Sequence, residues 1–228
     1  MILRLIGDTH QNYEQLIKLQ RGADYSIALG DIGFDYRPLT ELYLKNFIDP
    51  LRHRMFHGNH DNIPLLKSMK PAYFLPRWGK MKLGKYKIMF ISGGWSIDHK
   101  QRTPGFNWFP DEELSEQEFE LAKEEYIHFK PDILLTHEGP LRLVQHLTNP
   151  AFAKQFGYPS TVRTRTAVAL DEMIDLWEAP EMFFGHYHFS GGRQISLDHC
   201  QTRFTHLDMI RVNSNGFIYP GSTFDLEI

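Results

Sequence analysis

The sequence lacks the features of several protein classes. Its 228 residues include one cysteine, Cys200, so neither an intrachain disulfide nor a cysteine-based zinc site is expected. No apolar run reaches the roughly 18 residues of a membrane-spanning helix, and the apolar residues 1–6 are too short for a signal peptide. A formal net charge of −3 gives no general affinity for nucleic acid. These absences predict a cytoplasmic protein with no membrane attachment, and no required protein partner is evident.

What the sequence does contain is a series of short apolar segments, each ending in polar residues. Ile2–Ile6, Tyr25–Leu29 and Leu51–Phe56 are predicted strands, with predicted helices after Asn12 and around Leu39–Ile48. This β-α-β-α-β order predicts a parallel sheet. In such sheets, ligands bind where the strands end.

The rest of the chain continues as a mixture of strands, helices and long loops. Ser115 and Glu118 have the spacing of a capping box that opens a helix to about Phe129. The other predicted segments are strands at 73–74, 80–83, 86–91, 132–135 and 182–184, helices at 141–147 and 166–177, and a loop at 95–110. The tail, Thr202–Tyr219, is predicted to form two or three antiparallel strands around the turn at 213–216. No linker divides the chain, so we predict one domain over residues 1–228.

Polar motifs follow five of the predicted strands: Asp8-Thr9-His10, Gly30-Asp31, Gly58-Asn59-His60-Asp61, Thr136-His137 and Gly185-His186-Tyr187-His188. Carboxylate and imidazole ligands together suit Mn, Fe, Zn or Ni better than Mg or Ca. In an extended segment His186 and His188 would point to the same side. Seven such ligands fit two metal ions if one carboxylate bridges them.

Each motif alone has an ordinary structural explanation. Gly-Asp after a strand is often only a turn, and a single Thr-His is more often a capping or packing histidine. The joint occurrence, always at a strand end, favours a metal site over these alternatives.

The five motifs together resemble the pattern of the calcineurin-like metallophosphoesterase superfamily, over residues 5–188. The resemblance implies an α/β fold, a four-layer αββα sandwich with two mixed sheets, and a dinuclear metal site at the carboxyl ends of the strands. One metal would be held by Asp8, His10, Asp31 and His188. The second, bridged by Asp31, would be held also by Asn59, His137 and His186. The metals would be two divalent or trivalent ions, with Mn²⁺ expected and Fe, Zn or Ni as alternatives.

The resemblance also implies roles for His60 and Asp61. His60 would meet the phosphate and protonate the leaving oxygen, and Asp61 would orient it. A neighbouring carboxylate raises the pKa of a histidine and fixes its tautomer, which suits a general acid near neutral pH. The attacking group would be a hydroxide that bridges the two metals, so no serine or cysteine nucleophile is needed.

The substrate is predicted to be a nucleotide or nucleic-acid phosphodiester. Protein phosphatases of this fold usually carry Gly-Asp-x-Val-Asp-Arg-Gly and Gly-Asn-His-Glu. Here the first motif reads Gly30-Asp31-Ile32-Gly33-Phe34-Asp35, without the arginine, and Asp61 stands in place of the glutamate. The alternatives are a phosphomonoesterase, acting on a phosphoprotein or a small metabolite, and a metal-binding scaffold that has lost turnover.

The loop at 95–110 supplies the candidate substrate-binding residues. Lys100 or Arg102 would bind a phosphate, and Trp95 or Trp108 would stack on a base. The alternative is that the aromatic side chains only anchor the loop to the body of the protein. Arg163 and Arg165 suit a solvated surface better than a phosphate site.

Overall fold

A computed structural model describes residues 1–34, 48–158, 160, 162–189 and 192–228. These residues form the strands β1 Ile2–Ile6, β2 Tyr25–Ala28, β3 His53–Met55, β4 Trp78–Leu83, β5 Tyr86–Ile91, β6 Ile133–Thr136, β7 Glu181–Phe184, β8 Arg193–Ile195, β9 Arg203–His206 and β10 Thr223–Glu227. The helices are α1 Tyr13–Gln20, α2 Ile63–Met69, α3 Glu116–Phe129, α4 Leu141–Leu147, α5 Pro150–Gln155 and α6 Arg165–Leu176, with a 3-10 turn at His99–Gln101.

The strands form two mixed sheets. The first has the order β10-β1-β2-β3, with β10 antiparallel to β1 and the others parallel. The second has the order β4-β5-β6-β7-β9-β8, with parallel pairing from β5 to β9 and antiparallel pairing at both edges. The carboxyl ends of the parallel strands therefore lie at a common edge within each sheet.

The apolar residues of each sheet alternate between a central core and an outer core. In β5, Ile88 and Phe90 pack in the core between the sheets, whereas Met89 and Ile91 pack in the core that includes the helices α3 and α6. β1 sends Leu3 and Leu5 into the central core. Strands buried on both faces must be apolar at nearly every position.

Helices cover both outer faces of the paired sheets. Phe119 and Tyr126 of α3 pack with Leu170 of α6 on the second sheet, and Leu16 of α1 packs with Ile6 on the first. The predicted four-layer αββα sandwich with two mixed sheets is confirmed. Among the described residues, no helix has both the length and the apolar content to cross a bilayer.

Local capping signals account for several of the helices. The box of Ser115 and Glu118 forms as predicted, and α3 ends at Phe129. The helix after Asn12 is present, but the Asn12 side chain does not cap it. Two short helices, α2 and α5, were not predicted, although Asn62 and Asn149 cap their first turns. The helix predicted around Leu39–Ile48 lies outside the described residues, except for Ile48.

The predicted pairing of the tail is wrong. β9 is parallel to β7, and the turn at 213–216 closes only an isolated bridge between Val212 and Ile218. β10, which was not predicted, returns to the other sheet and pairs with β1. Local sequence could not show this because the partner of a strand is chosen by distant parts of the chain.

His206, at the end of β9, is a buried histidine with an unusual environment. Its ring lies among Phe184, Tyr187 and Phe189, and neither ring nitrogen has a hydrogen-bond partner among the described residues. Burial lowers the pKa of His206 to about 4, although Asp8 and Asp208 act to raise it.

We predict that His206→Phe makes the protein less sensitive to acid. Because the folded pKa is depressed, the unfolded chain binds more protons below about pH 6.5, and stability is lost as the pH falls towards 4. The variant should lose about 2 kcal/mol less unfolding free energy than the wild type between pH 8 and pH 5. Urea unfolding at both values measures this, with His128→Phe at an exposed site as control. If the variant and the wild type lose the same unfolding free energy between pH 8 and pH 5, the prediction is wrong.

Candidate metal centre

The polar motifs lie just beyond the strand ends of both sheets. Strands β1, β2 and β3 of the first sheet lead to Asp8, Asp31 and Asn59, and strands β6 and β7 of the second lead to His137 and His186. Backbone hydrogen bonds hold these turns together, including His10 N to Asp31 O at 2.8 Å and Gly185 N to His137 O at 3.0 Å. The candidate site thus spans the two sheets at one edge.

A first group of potential ligands consists of Asp8, His10, Asp31 and His188, whose ligand atoms all lie within 4.8 Å of one another. His188 Nε2 is 2.9 Å from Asp8 Oδ2 and 2.9 Å from His10 Nε2. His10 Nε2 is 3.8 Å from Asp31 Oδ2. Four donors thus converge on one point.

A second group consists of Asp31, His137 and His186, and Asn59 adds an amide oxygen to it. Asn59 Oδ1 lies 3.0 Å from both His137 Nε2 and His186 Nδ1. His137 Nε2 is also 3.3 Å from Asp31 Oδ1. Asp31 therefore presents one oxygen to each group, which is the arrangement of a bridging carboxylate.

The donor set fits two cations. Asp31 Oδ2 is buried and has no hydrogen-bond partner among the described residues. The ring nitrogens of His137 and His186 face each other at 3.3 Å. Such a concentration of lone pairs is costly in a buried site unless a positive charge lies between them. Imidazole, carboxylate and amide donors are those of Mn, Fe, Zn or Ni sites.

The protonation equilibria show how much negative charge the site concentrates. Burial acts to lower the pKa of His137, but Asp31 and Asp8 outweigh it and raise this pKa to about 10. Burial acts to raise the pKa of Asp31, but His137 and His60 hold it well below its usual range. Burial, and then the charge of His137, lower the pKa of His186 to about 3. A proton shared within this cluster thus occupies a place that a metal cation could take.

Backbone groups hold the potential ligands in place. His137 Nδ1 donates to Leu29 O at 2.8 Å, which leaves Nε2 free to face the second group. The amide of His60 donates to Asp31 Oδ1, and the amide of His186 donates to Asp8. A Cβ atom on Gly58 would lie 2.2 Å from Asp31 Oδ1, and one on Gly185 would lie 2.1 Å from Asp8 Oδ1. The glycines of both motifs are therefore required for close approach.

Four of the predicted ligands have left-handed backbone conformations: His10, Asp31, His186 and His188, with φ of 44°, 47°, 72° and 51°. Non-glycine residues adopt this region at a cost, and such strained residues cluster at functional sites. Lys70 and Lys130 adopt it here at ordinary helix ends. The expected extended geometry of residues 186–188 is therefore wrong. His186 joins the second group, whereas His188 joins the first.

His60 lies at the mouth of the site. Its side chain is 35% exposed, and its ring packs edge-on against His10 at 5.3 Å. Both terminal nitrogens of Arg102 lie 3.0 Å from a ring nitrogen of His60, and Asp98 holds Arg102 Nε at 2.8 Å. The expected rise in the pKa of His60 is wrong: burial lowers this pKa, Asp31 acts to raise it, and Arg102 lowers it further.

The orienting role predicted for Asp61 is not supported by its contacts. The buried carboxylate of Asp61 accepts four backbone hydrogen bonds, from Ile32, Gly33, Phe34 and Gly58, at 2.7–3.2 Å. Among the described residues, the His60 ring contacts Asp31, Arg102 and His10, and the Asp61 carboxylate does not reach it. Asp61 instead ties the Asp31 loop to the Asn59 loop.

The other two candidate substrate residues contact Tyr158, which follows α5, and Trp95 also contacts a residue of its own loop. Trp95 packs edge-on against His99 and Tyr158, each at 5.2 Å between ring centroids. Lys100 Nζ lies 4.5 Å from the centre of the Tyr158 ring. These contacts anchor the loop, as in the alternative prediction, but Trp95 stays partly exposed and Lys100 exposed. Arg102 is the candidate that contacts the predicted site.

Two buried glutamates beside the site were not predicted. Glu112 accepts hydrogen bonds from Ser96, whose hydroxyl oxygen accepts from Asn59. Glu138 accepts from Thr164 Oγ1 and from the amide of Trp95. The position of Glu138 directly after His137 was an available signal, whereas Glu112 stands in no recognisable motif.

We predict that Asp61→Asn destabilises the fold, because an amide nitrogen would then face backbone donors. The expected loss is about 1–3 kcal/mol of unfolding free energy, whereas His60→Ala should change it by less than about 0.5 kcal/mol. Urea unfolding at pH 8 measures both, with Asp198→Asn as an exposed control of the same type. A loss of activity in Asp61→Asn without loss of stability would restore the orienting role.

Comparisons with known proteins bear on the family. A family model described as calcineurin-like phosphoesterase matches residues 2–199. None of the curated proteins matches the sequence. Among solved structures, the chain is similar to a hypothetical protein from Thermus thermophilus, with 13% identity and a TM-score of 0.48 over 92% of this chain and 77% of that one.

A predicted phosphoesterase from Streptococcus pneumoniae has 13% identity and a TM-score of 0.41, over 99% of this chain and 97% of that one. A 5'-nucleotidase precursor from Thermus thermophilus has 14% identity and a TM-score of 0.48, over 99% of this chain and 54% of that one. Likenesses of this size carry no argument about activity. The family model, however, covers most of the sequence and all five motifs, and so the chain belongs to the calcineurin-like phosphoesterase family.

Proposed function

We propose that this protein is a metal-dependent phosphodiesterase that acts on a nucleotide or nucleic-acid substrate. Its family implies metal-dependent phosphoester hydrolysis. The observation that carries the proposal is the pair of ligand groups that share Asp31, each with its own imidazoles.

The proposed ligands are the seven side chains of these groups. Asp8, His10 and His188 would hold one ion, and Asn59, His137 and His186 the other, with Asp31 between them. Mn²⁺ is proposed because the donors mix carboxylate, amide and imidazole. When bound, two such ions would polarise a phosphoryl group and activate a water molecule.

His60 is the proposed proton donor to the leaving oxygen. It lies at the mouth, with its ring beside His10 and within 3.9 Å of Asp31 Oδ2. Its backbone amide is fixed on Asp31, so the ring is anchored to the bridging carboxylate without being one of the grouped donors. A histidine in this position can reach a phosphoryl oxygen and transfer a proton.

The charge at the mouth supports a diester. A phosphodiester carries one negative charge and a phosphomonoester up to two near neutral pH. Arg102 contacts His60, but its own charge is partly balanced by Asp98 at 2.8 Å. A single, partly neutralised guanidinium suits the lower charge of a diester. The sequence also lacks the arginine motif of the protein phosphatases.

The aromatic cluster beside the mouth is the basis for proposing a base-bearing substrate. His99 packs at 5.3 Å against Trp108 and at 5.2 Å against Trp95, so three rings share the segment that carries Arg102. Aromatic rings near a cation bind single nucleotides or strands by stacking. The reducing cytoplasm as location, and the lack of a required protein partner, stay predictions.

The first test is a substrate panel with metals. With Mn²⁺, we expect hydrolysis of bis-p-nitrophenyl phosphate to exceed that of p-nitrophenyl phosphate at least about tenfold in kcat/KM, a difference of about 1.4 kcal/mol. EDTA should abolish both activities, and Mn²⁺ should restore them. A preference for the monoester would support the phosphomonoesterase alternative. Inertness towards both substrates, with metal bound, would favour a scaffold without turnover.

The second test is His60→Ala. We expect kcat on a dinucleotide to fall by about 10²–10⁴-fold, because its ribose leaving oxygen departs poorly without a proton donor. Metal uptake by equilibrium dialysis should stay at the wild-type level because His60 is outside both ligand groups. His128→Ala, an exposed histidine on α3, is the control. Undiminished activity in His60→Ala would exclude the role.

A further inference from the structure

The amide of Asn59 needs a fixed orientation if it is to bind a cation. An amide offers a metal its oxygen, whereas its nitrogen is only a hydrogen-bond donor. The two ends are similar in size, so packing alone distinguishes them poorly. Hydrogen bonds can distinguish them, and the amide nitrogen of Asn59 makes one on the side away from the histidines.

Two consecutive buried hydrogen bonds connect Asn59 through Ser96 to Glu112. Asn59 Nδ2 donates to Ser96 Oγ at 2.9 Å, and Ser96 Oγ donates to Glu112 Oε2 at 2.6 Å. Glu112 Oε1 also accepts from the amide of Ser96 at 2.8 Å, which fixes Ser96 at both ends. The three residues are at most 2% exposed, so water does not compete for these bonds.

The donors and acceptors of these two hydrogen bonds can be arranged in only one way. A carboxylate only accepts hydrogen bonds, so the single hydroxyl proton of Ser96 must go to Glu112. The Ser96 oxygen can then only accept from Asn59, and its partner must be Nδ2. Asn59 Oδ1 is thereby turned towards His137 and His186, where it lies 3.0 Å from each ring.

We propose that Glu112, acting through Ser96, is a positioning residue that orients the Asn59 oxygen and so sets the affinity of the second metal site without affecting the first. This inference rests on the proposed function, because it assumes that both ligand groups bind metal. Neither Ser96 nor Glu112 belongs to the ligand groups, and neither touches Asp8, His10 or His188 in the described contacts.

The most informative variant is Glu112→Gln, which keeps the shape of the side chain and reverses the donor and acceptor roles in the two hydrogen bonds. The new amide nitrogen would donate to Ser96 Oγ, and the hydroxyl proton would turn towards Asn59. Asn59 would then be favoured in its flipped form, with its nitrogen facing the second site. Ser96→Ala removes both hydrogen bonds, and Ser96→Thr keeps the hydroxyl and should restore function.

The experiment is Mn²⁺ binding by equilibrium dialysis and calorimetry at pH 8. This pH is above the value of about 7 to which burial raises the pKa of Glu112, against the hydrogen bonds from Ser96. We expect two bound ions in the wild type. Glu112→Gln and Ser96→Ala should weaken one of them by about 10–100-fold and leave the other unchanged. Ser96→Thr should bind like the wild type.

Two controls make the result specific. Ser26→Ala removes another buried serine hydroxyl, bonded to His53 at 3.0 Å, and should change neither affinity. A double-variant cycle identifies the affected site. Glu112→Gln should have little further effect in a His186→Ala background, which already lacks a second-site ligand, but it should weaken the remaining ion in a His10→Ala background.

The outcomes separate the two proposals. If the wild type binds two ions and the Ser96 and Glu112 variants do so equally well, or lose both ions together, the positioning role is overturned and the proposed function stands. If the wild type does not bind two ions, the proposed metal centre fails and this inference fails with it. Thermal unfolding of each variant shows whether a loss of affinity is a loss of fold.

Discussion

The site depends on how the charge of one buried carboxylate, that of Asp31, is compensated. Its two oxygens face different groups of imidazoles, and it is held by the backbone amide of His60. A buried carboxylate is stable only when opposite charge or hydrogen bonds compensate its desolvation. The histidines around Asp31 supply part of this compensation as protons, and divalent ions would supply more.

The turns around Asp31 show how this charge is accommodated. Asp61 gathers backbone amides from the Asp31 loop and from Gly58, so the loops after β2 and β3 are joined by a second carboxylate. Gly58 and Gly185 admit the carboxylates of Asp31 and Asp8 to distances that a Cβ atom would forbid. Left-handed φ angles occur at four predicted ligands in these same turns. The loops at this edge are therefore held by hydrogen bonds to carboxylates as well as by the apolar packing of Ile32 and Phe34.

Much of this could be predicted from the sequence because it depends on local order. Apolar segments followed by Asp8, Asp31, Asn59, His137 and His186 place polar groups at strand ends, and parallel pairing then brings those ends together. The helix α3 carries its own start signal in Ser115 and Glu118. What could not be predicted depends on contacts between distant residues. Because Asp61 follows His60 in the sequence, it was predicted to orient the His60 ring. A left-handed turn at Asp31 brings backbone amides to Asp61 instead. Glu112 is 16 residues from Ser96, and Ser96 is 37 from Asn59, so no motif connects them.

The pairing of β10 with β1, equally invisible in local sequence, has a consequence for how the protein folds. β1 leads directly to Asp8, and its outer edge is closed by β10 through contacts such as Arg4 with Asp225, 221 residues apart. Contacts of such high sequence separation slow folding, because the loop entropy is lost before the contact is gained. Until β10 arrives, the strand that positions Asp8 has an unpaired edge able to pair with other chains. Assembly of the first ligand group is therefore expected late in folding, when the edge of this sheet closes.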